Sequence, residues 1–126
     1  ALALHVMRAT LEHVLTDEAF ERMIPLGKRW ADGVQSVIDE REMPWSVVQL
    51  GARAEYWSAP ERPRDGGEAA AHDDRALNKF LHLYALNRGI LLTPFHNMAL
   101  MCPDTTEADV DAHTEVFAQA ADELVT

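Results

Sequence analysis

The 126-residue chain predicts one α+β domain in which a small, largely antiparallel sheet is covered on one face by helices. Three observations carry that expectation. Apolar residues recur at three- and four-residue steps between Leu4 and Ile38 and again between Val110 and Leu124, the period of half-buried helices. Short runs rich in aromatic and β-branched residues lie on either side of Gly51, and compact apolar runs precede Pro94 and Pro103. The composition, 48% hydrophobic and 25% charged, suits a single domain, residues 1–126, with one core.

Leu4, Met7, Leu11, Val14 and Leu15 predict a first helix from Leu2 to Leu15 with one buried face. Thr16 is placed to cap a second helix, and Asp17 and Glu18 favour the positive end of its dipole. Its stripe is Phe20, Met23, Ile24, Trp30, Val34, Val37 and Ile38, and Pro25 is expected to kink or split it before Met43-Pro44 ends it. Trp45 to Leu50 and Arg53 to Trp57 read as two strands joined by a tight reversal at Gly51. Pro60 to Asp73, rich in Pro, Gly and charge, reads as a loop.

Asp74 can cap a third helix, Arg75 to Arg88, with Leu77, Phe80, Leu81 and Tyr84 inward and Gly89 at its stop. Ile90 to Thr93 and Met98 to Cys102 each read as a short buried strand. Thr106-x-x-Asp109 resembles a capping box with Asp in place of Glu. The helix it opens runs to about Val125 on Val110, Phe117, Ala120, Ala121 and Leu124.

Eleven basic residues against 21 acidic ones give a net charge of -10, which argues against nucleic acid or an anionic membrane as partner. No apolar run approaches the roughly 18 residues of a membrane span. Cys102 is the single cysteine, so the fold stands on packing, and the cytoplasm is the expected compartment. The opening Ala1-Leu2-Ala3-Leu4 has neither a methionine nor a capping residue, so the chain is expected to be cut from a longer protein.

Among residues able to carry chemistry, the six histidines lack metal-ligand spacing, and no metal site is expected. His72-Asp73-Asp74 reads as a solvated approach to a helix cap, His82 and His113 as partly buried, hydrogen-bonded helix residues, and Cys102 as a small core residue. Lys28 and Lys79, the two lysines, read as surface charge rather than Schiff-base groups. Arg53, Arg62 and Arg64 offer guanidinium forks suited to a carboxylate, with ion pairs to Glu55 or Glu61 as the plainer reading. Phe95-His96-Asn97-Met98 sets a polar pair between two apolar runs, a place for a grafted site.

Ala1 to Leu11, Leu15 to Arg22, Asn87-Arg88-Gly89-Ile90-Leu91-Leu92-Thr93-Pro94 and Thr105-Thr106-Glu107-Ala108-Asp109-Val110-Asp111 are segments placed from one end of the chain to the other. Together they resemble the C-terminal small domain of the class III pyridoxal-phosphate-dependent aminotransferases, the group that includes glutamate-1-semialdehyde aminomutase, and the resemblance covers nearly the whole chain. It implies a fold-type-I enzyme whose pyridoxal 5'-phosphate and Schiff-base lysine belong to a large upstream domain. This chain would then supply a wall of the substrate pocket and contacts to the substrate carboxylate, would bind no cofactor and would be inactive alone. Its implied partners are its own large domain and the second subunit of a homodimer, with amino acid and keto acid as substrates.

Where the aminomutases of this group carry Ser and Glu, this chain has Phe95-His96-Asn97-Met98, which favours plain amino-group transfer over the aminomutase reaction. The stretch Gly51-Ala52-Arg53-Ala54-Glu55-Tyr56 followed by Pro63-Arg64 is similar to members acting on β-amino acids. That similarity implies Arg64 first and Arg53 second as carboxylate contacts, with His96, Asn97 and Met98 at the pocket rim. The alternatives are an aminomutase domain and a non-catalytic interaction domain that docks through its uncapped apolar N-terminal helix.

Overall fold

A computed structural model describes residues 1–93 and 96–125. Its elements are α1 (Leu2–His13), α2 (Asp17–Glu40), β1 (Ser46–Leu50), β2 (Arg53–Trp57), α3 (Gly66–Ala71), α4 (Arg75–Leu86), β3 (Met98–Leu100) and α5 (Glu107–Val125). The strands form one antiparallel sheet in the order β1-β2-β3. The fold is the expected α+β class, a three-stranded antiparallel sheet with helices.

Local chemistry sets most boundaries. Thr16 caps α2 by accepting the Ala19 N–H at 3.3 Å, and Asp74 caps α4 by accepting the Ala76 and Leu77 N–H groups at 3.0 Å. At the start of α5 the box closes both ways. The Thr106 hydroxyl accepts the Asp109 N–H at 3.3 Å and Asp109 accepts the Thr106 N–H at 2.8 Å. Gly51, at φ +59, makes the two-residue reversal that pairs Leu50 with Arg53.

The core lies between α2, α5 and one face of the sheet. Trp30, Val34, Val37 and Ile38 of α2 and Phe117, Ala120 and Ala121 of α5 pack with Ala54, Tyr56 and Ala99. Trp45, Tyr56 and Trp30 stack in sequence, with ring centroids 5.9 and 6.0 Å apart, and Phe117 meets Tyr56 at 4.8 Å. Outside this core a bidentate Arg29–Asp111 pair and the Arg41–Asp122 contact join α2 to α5.

Several expectations are corrected. The first helix ends at His13, and its apolar stripe is exposed rather than buried, since α1 packs on no other described element. α2 runs unbroken through Pro25, because its buried row of Ala19, Met23, Gly27 and Trp30 continues past the proline; Phe20 and Ile24 are exposed instead. Pro60 to Asp73 is not all loop. Asp65 accepts the Gly67 and Glu68 N–H groups at 2.9 Å and so starts α3.

Ile90 to Thr93 is no strand. Gly89, at φ +83, turns the chain so that the Ile90 N–H bonds the Ala85 carbonyl, and β3 pairs with β2 rather than with this segment. Leu124 is also exposed, as is Cys102, whose thiolate is favoured by the Thr105 hydroxyl at 3.4 Å. His82 and His113 are not fully hydrogen-bonded, for the Nδ1 of each is buried without a partner.

Candidate functional site

Strand alternation turns Ala54 and Tyr56 toward the helices and Arg53, Glu55 and Trp57 toward the other face. On that face Glu55 is buried all the same, its side chain 8% exposed. A buried carboxylate needs partners, and Glu55 has two. Arg53 Nη2 donates to its Oε2 at 2.7 Å, and His96 Nδ1 lies 3.4 Å from its Oε1.

His96 and Asn97 lead directly into β3. The Asn97 carbonyl accepts the Tyr56 N–H at 3.1 Å, which ties the pair to β2. The Asn97 side-chain amide donates to Asn78 Oδ1 at 2.8 Å, and the Asn78 amide donates to Asp73 Oδ1 at 2.8 Å. Asp73 immediately precedes the α4 cap Asp74, so the turn that starts the helix also places this acceptor. Between these groups and Ala69, Ala70 and His72 on and after α3 lies a cavity of about 280 Å³.

Of the five expected site residues, Arg53, His96 and Asn97 come together around Glu55. Met98 pairs with Glu55 in the strand register but lines a second cavity, of about 290 Å³, with Trp30, Leu92 and His113. Arg64 is exposed and clasped by Glu68, which accepts its Nε–H at 2.9 Å and its backbone N–H at 2.8 Å. It borders a third cavity that shares only His72 with the first. Phe95 lies outside the described residues.

Sequence reasoning treated Glu55 only as an ion-pair partner of Arg53, and that pair is present. What it missed is that Glu55 is the centre of the cluster, and that Asn78 and Asp73 extend it. A carboxylate alternating with Ala54 and Tyr56 marks the open face of a strand, but nothing local shows that residues forty positions on will cover it.

No protein-family model matches the chain. Among curated proteins it is similar to a glutamate-1-semialdehyde 2,1-aminomutase of Opitutus terrae, 27% identical over 124 residues, which are 98% of this chain and 29% of that protein. Among solved structures it matches a glutamate-1-semialdehyde aminomutase from Pseudomonas aeruginosa with a TM-score of 0.93 and 44% identity. That match covers 98% of this chain and 27% of the other. The same enzyme in complex with PMP, as a lysine-to-alanine variant, gives the same figures. The resemblance to the class III aminotransferase and aminomutase group holds. An omega-transaminase from Sphaerobacter thermophilus extends it, with a TM-score of 0.69 and 25% identity over 86% of this chain and 25% of that one. The chain thus spans between 25% and 29% of the length of these relatives.

Pyridoxal phosphate needs an amine for its aldehyde and a cradle of free N–H groups for its phosphate. The described residues do not fit it. Lys28 is exposed and bonded to Asp32, Lys79 is exposed, and the N–H groups at the start of α3 are occupied by Asp65.

Proposed function

We propose that this chain is the small domain of a pyridoxal-phosphate-dependent aminotransferase whose cofactor and Schiff-base lysine reside in a further, large domain. The observation that carries the reading is the likeness in fold and sequence, over 98% of this chain, to 27% of an aminomutase chain. The exposed apolar face of α1 supports it, because such a surface suits a large domain or the second subunit of a homodimer. In this reading the open sheet face is the wall of a substrate pocket, and its apposition to the large domain excludes water from the bound amino acid or keto acid.

Arg53 has used one N–H on Glu55, so the rest of its fork is free for a substrate carboxylate while Glu55 orients it. Arg64 is the outer candidate, and His96, Asn97 and Met98 form the rim. Cytoplasmic location is part of the same proposal; no described helix is long and apolar enough to cross a membrane.

The test is to follow the coding region upstream for a large α/β domain with a lysine after a strand, then to purify the longer protein without added cofactor. A visible Schiff-base band that shifts on adding an amino acid is the expected result. A colourless protein that stays colourless with cofactor overturns it. The 44% identity to an aminomutase favours one second reading, internal amino-group exchange. Turnover of a single amino aldehyde with no keto acid present identifies that case, whereas a strict need for a keto acid identifies the aminotransferase.

A further inference from the structure

We infer that the second cavity, between residues 90–93, β3 and the start of α5, is a binding site for a small neutral ligand with an apolar body and one hydroxyl group. Of the residues proposed for the substrate pocket it includes only Met98. Two backbone features open it. Gly89, at φ +83, turns residues 90–93 out of the helix without making them a strand, and β3, at the edge of the sheet, pairs only with β2. The space left between the two segments measures about 290 Å³. Leu91 and Leu100, both exposed, stand at its mouth, while Trp30, Ala99, Val110 and His113 are buried and form its floor.

The floor carries two polar atoms that the fold leaves unsatisfied. Trp30 is 1% and His113 4% exposed, and Trp30 Nε1 and His113 Nδ1 each lack a hydrogen-bond partner among the described residues. A buried ring nitrogen in that state is costly, and natural folds leave few of them. The two rings lie side by side, with centroids 4.9 Å apart, so one bound molecule can reach both. The indole N–H can only donate, and burial holds the imidazole neutral, so that Nδ1 accepts in one tautomer and donates in the other. A hydroxyl complements both cases, accepting from Trp30 and either donating to His113 or accepting from it, whereas a carbonyl suits only one tautomer. The rest of the lining sets the body of the ligand. Ile90, Leu92, Met98 and Ala99 are apolar, and an apolar cavity of about 150 Å³ already holds a benzene ring. Asp109 is the other ionisable group at the cavity and no described lysine or arginine lines it, so a carboxylate ligand is refused. His113 also borders a recess of about 10 Å³, which has room for one water and for no organic molecule.

The test is a titration of this chain with phenol, with benzene, which lacks only the oxygen, and with benzoate, followed through the indole N–H resonances by NMR. Phenol is expected to shift the Trp30 indole signal saturably and to leave those of Trp45 and Trp57, which do not line the cavity, unmoved. It should bind about tenfold more tightly than benzene, the worth of the added hydrogen bonding, and benzoate should not bind. His113→Phe keeps an aromatic ring and removes the nitrogens, so it should cut phenol affinity severalfold and leave benzene unchanged. Trp30→Phe should lower the advantage of phenol in the same way; if that variant fails to fold, the wild-type comparison and His113→Phe still decide. A Trp30 signal that phenol leaves in place means that water satisfies the two nitrogens, and overturns the inference. Benzene binding as tightly as phenol, benzoate moving the same signal, or an unchanged phenol-to-benzene ratio in His113→Phe overturns it as well.

Discussion

His113 shows how one side chain sets a property of the whole chain. It is 4% exposed, lies between Trp30 and Phe117 with ring centroids 4.9 and 6.2 Å away, and has no partner for Nδ1. Burial disfavours the imidazolium and lowers its pKa from 6.5 to about 4. As pH falls below 6.5 the unfolded chain takes up this proton first. The contribution of His113 to stability is therefore fully present above 6.5, is lost as pH falls toward 4, and amounts to roughly 3 kcal/mol over that window. His113→Phe should flatten the slope, as measured by urea unfolding at steps across the window. Equal slopes in both proteins would assign the acid sensitivity to carboxylates instead.

Between elements, the contact of α2 with α5 turns on Gly33. A Cβ there would stand 2.6 Å from Thr114 Oγ1 and 3.1 Å from its Cγ2, and the Thr114 hydroxyl is fixed by donating to the Val110 carbonyl at 3.2 Å. Helix propensity alone would gain about 1 kcal/mol from Gly33→Ala. Overpacking against a short, pinned side chain outweighs it, so the variant should lose about 1–2 kcal/mol. Adding Thr114→Ala should restore the loss or more in a double-mutant cycle, and additive losses would show that this contact is not the cause. Neither the close approach nor its partner is legible in sequence, because Gly33 sits in a helical pattern like any tolerated glycine. What was legible was local: the caps at Thr16, Asp74 and Thr106, the hairpin at Gly51 and the helical stop at Gly89 each need only neighbours in the chain. Whether an apolar run is buried depends on distant elements, and there the reading failed for Leu91 and for the whole stripe of α1. The site divided in the same way. Arg53, His96 and Asn97 were visible as residue types in suggestive positions, while Glu55, Asn78 and Asp73 acquire their roles only when β3 pairs with β2 and brings Asn97 to the Asn78 side chain of α4.

The molecule as a whole carries a mismatch between what it folds and what it covers. α1 shows Leu2, Leu4, Met7 and Leu11 to solvent at 79, 65, 54 and 62% exposure, and it touches no other described element. A 12-residue helix without tertiary contacts is marginal in water, so α1 needs a surface to rest on. In the isolated chain the available apolar surface is that of another copy. Association should therefore rise with concentration in sedimentation velocity, and amide exchange in α1 should slow in step with it while α2 and α5 keep constant protection. Leu4→Lys with Leu11→Lys should give a monomer with fast exchange in α1 and an unchanged melting temperature, since the core does not include these residues. A wild-type chain that stays monomeric with a slowly exchanging α1 would mean that the helix holds itself, and the exposed face would no longer support the proposed docking to a large domain.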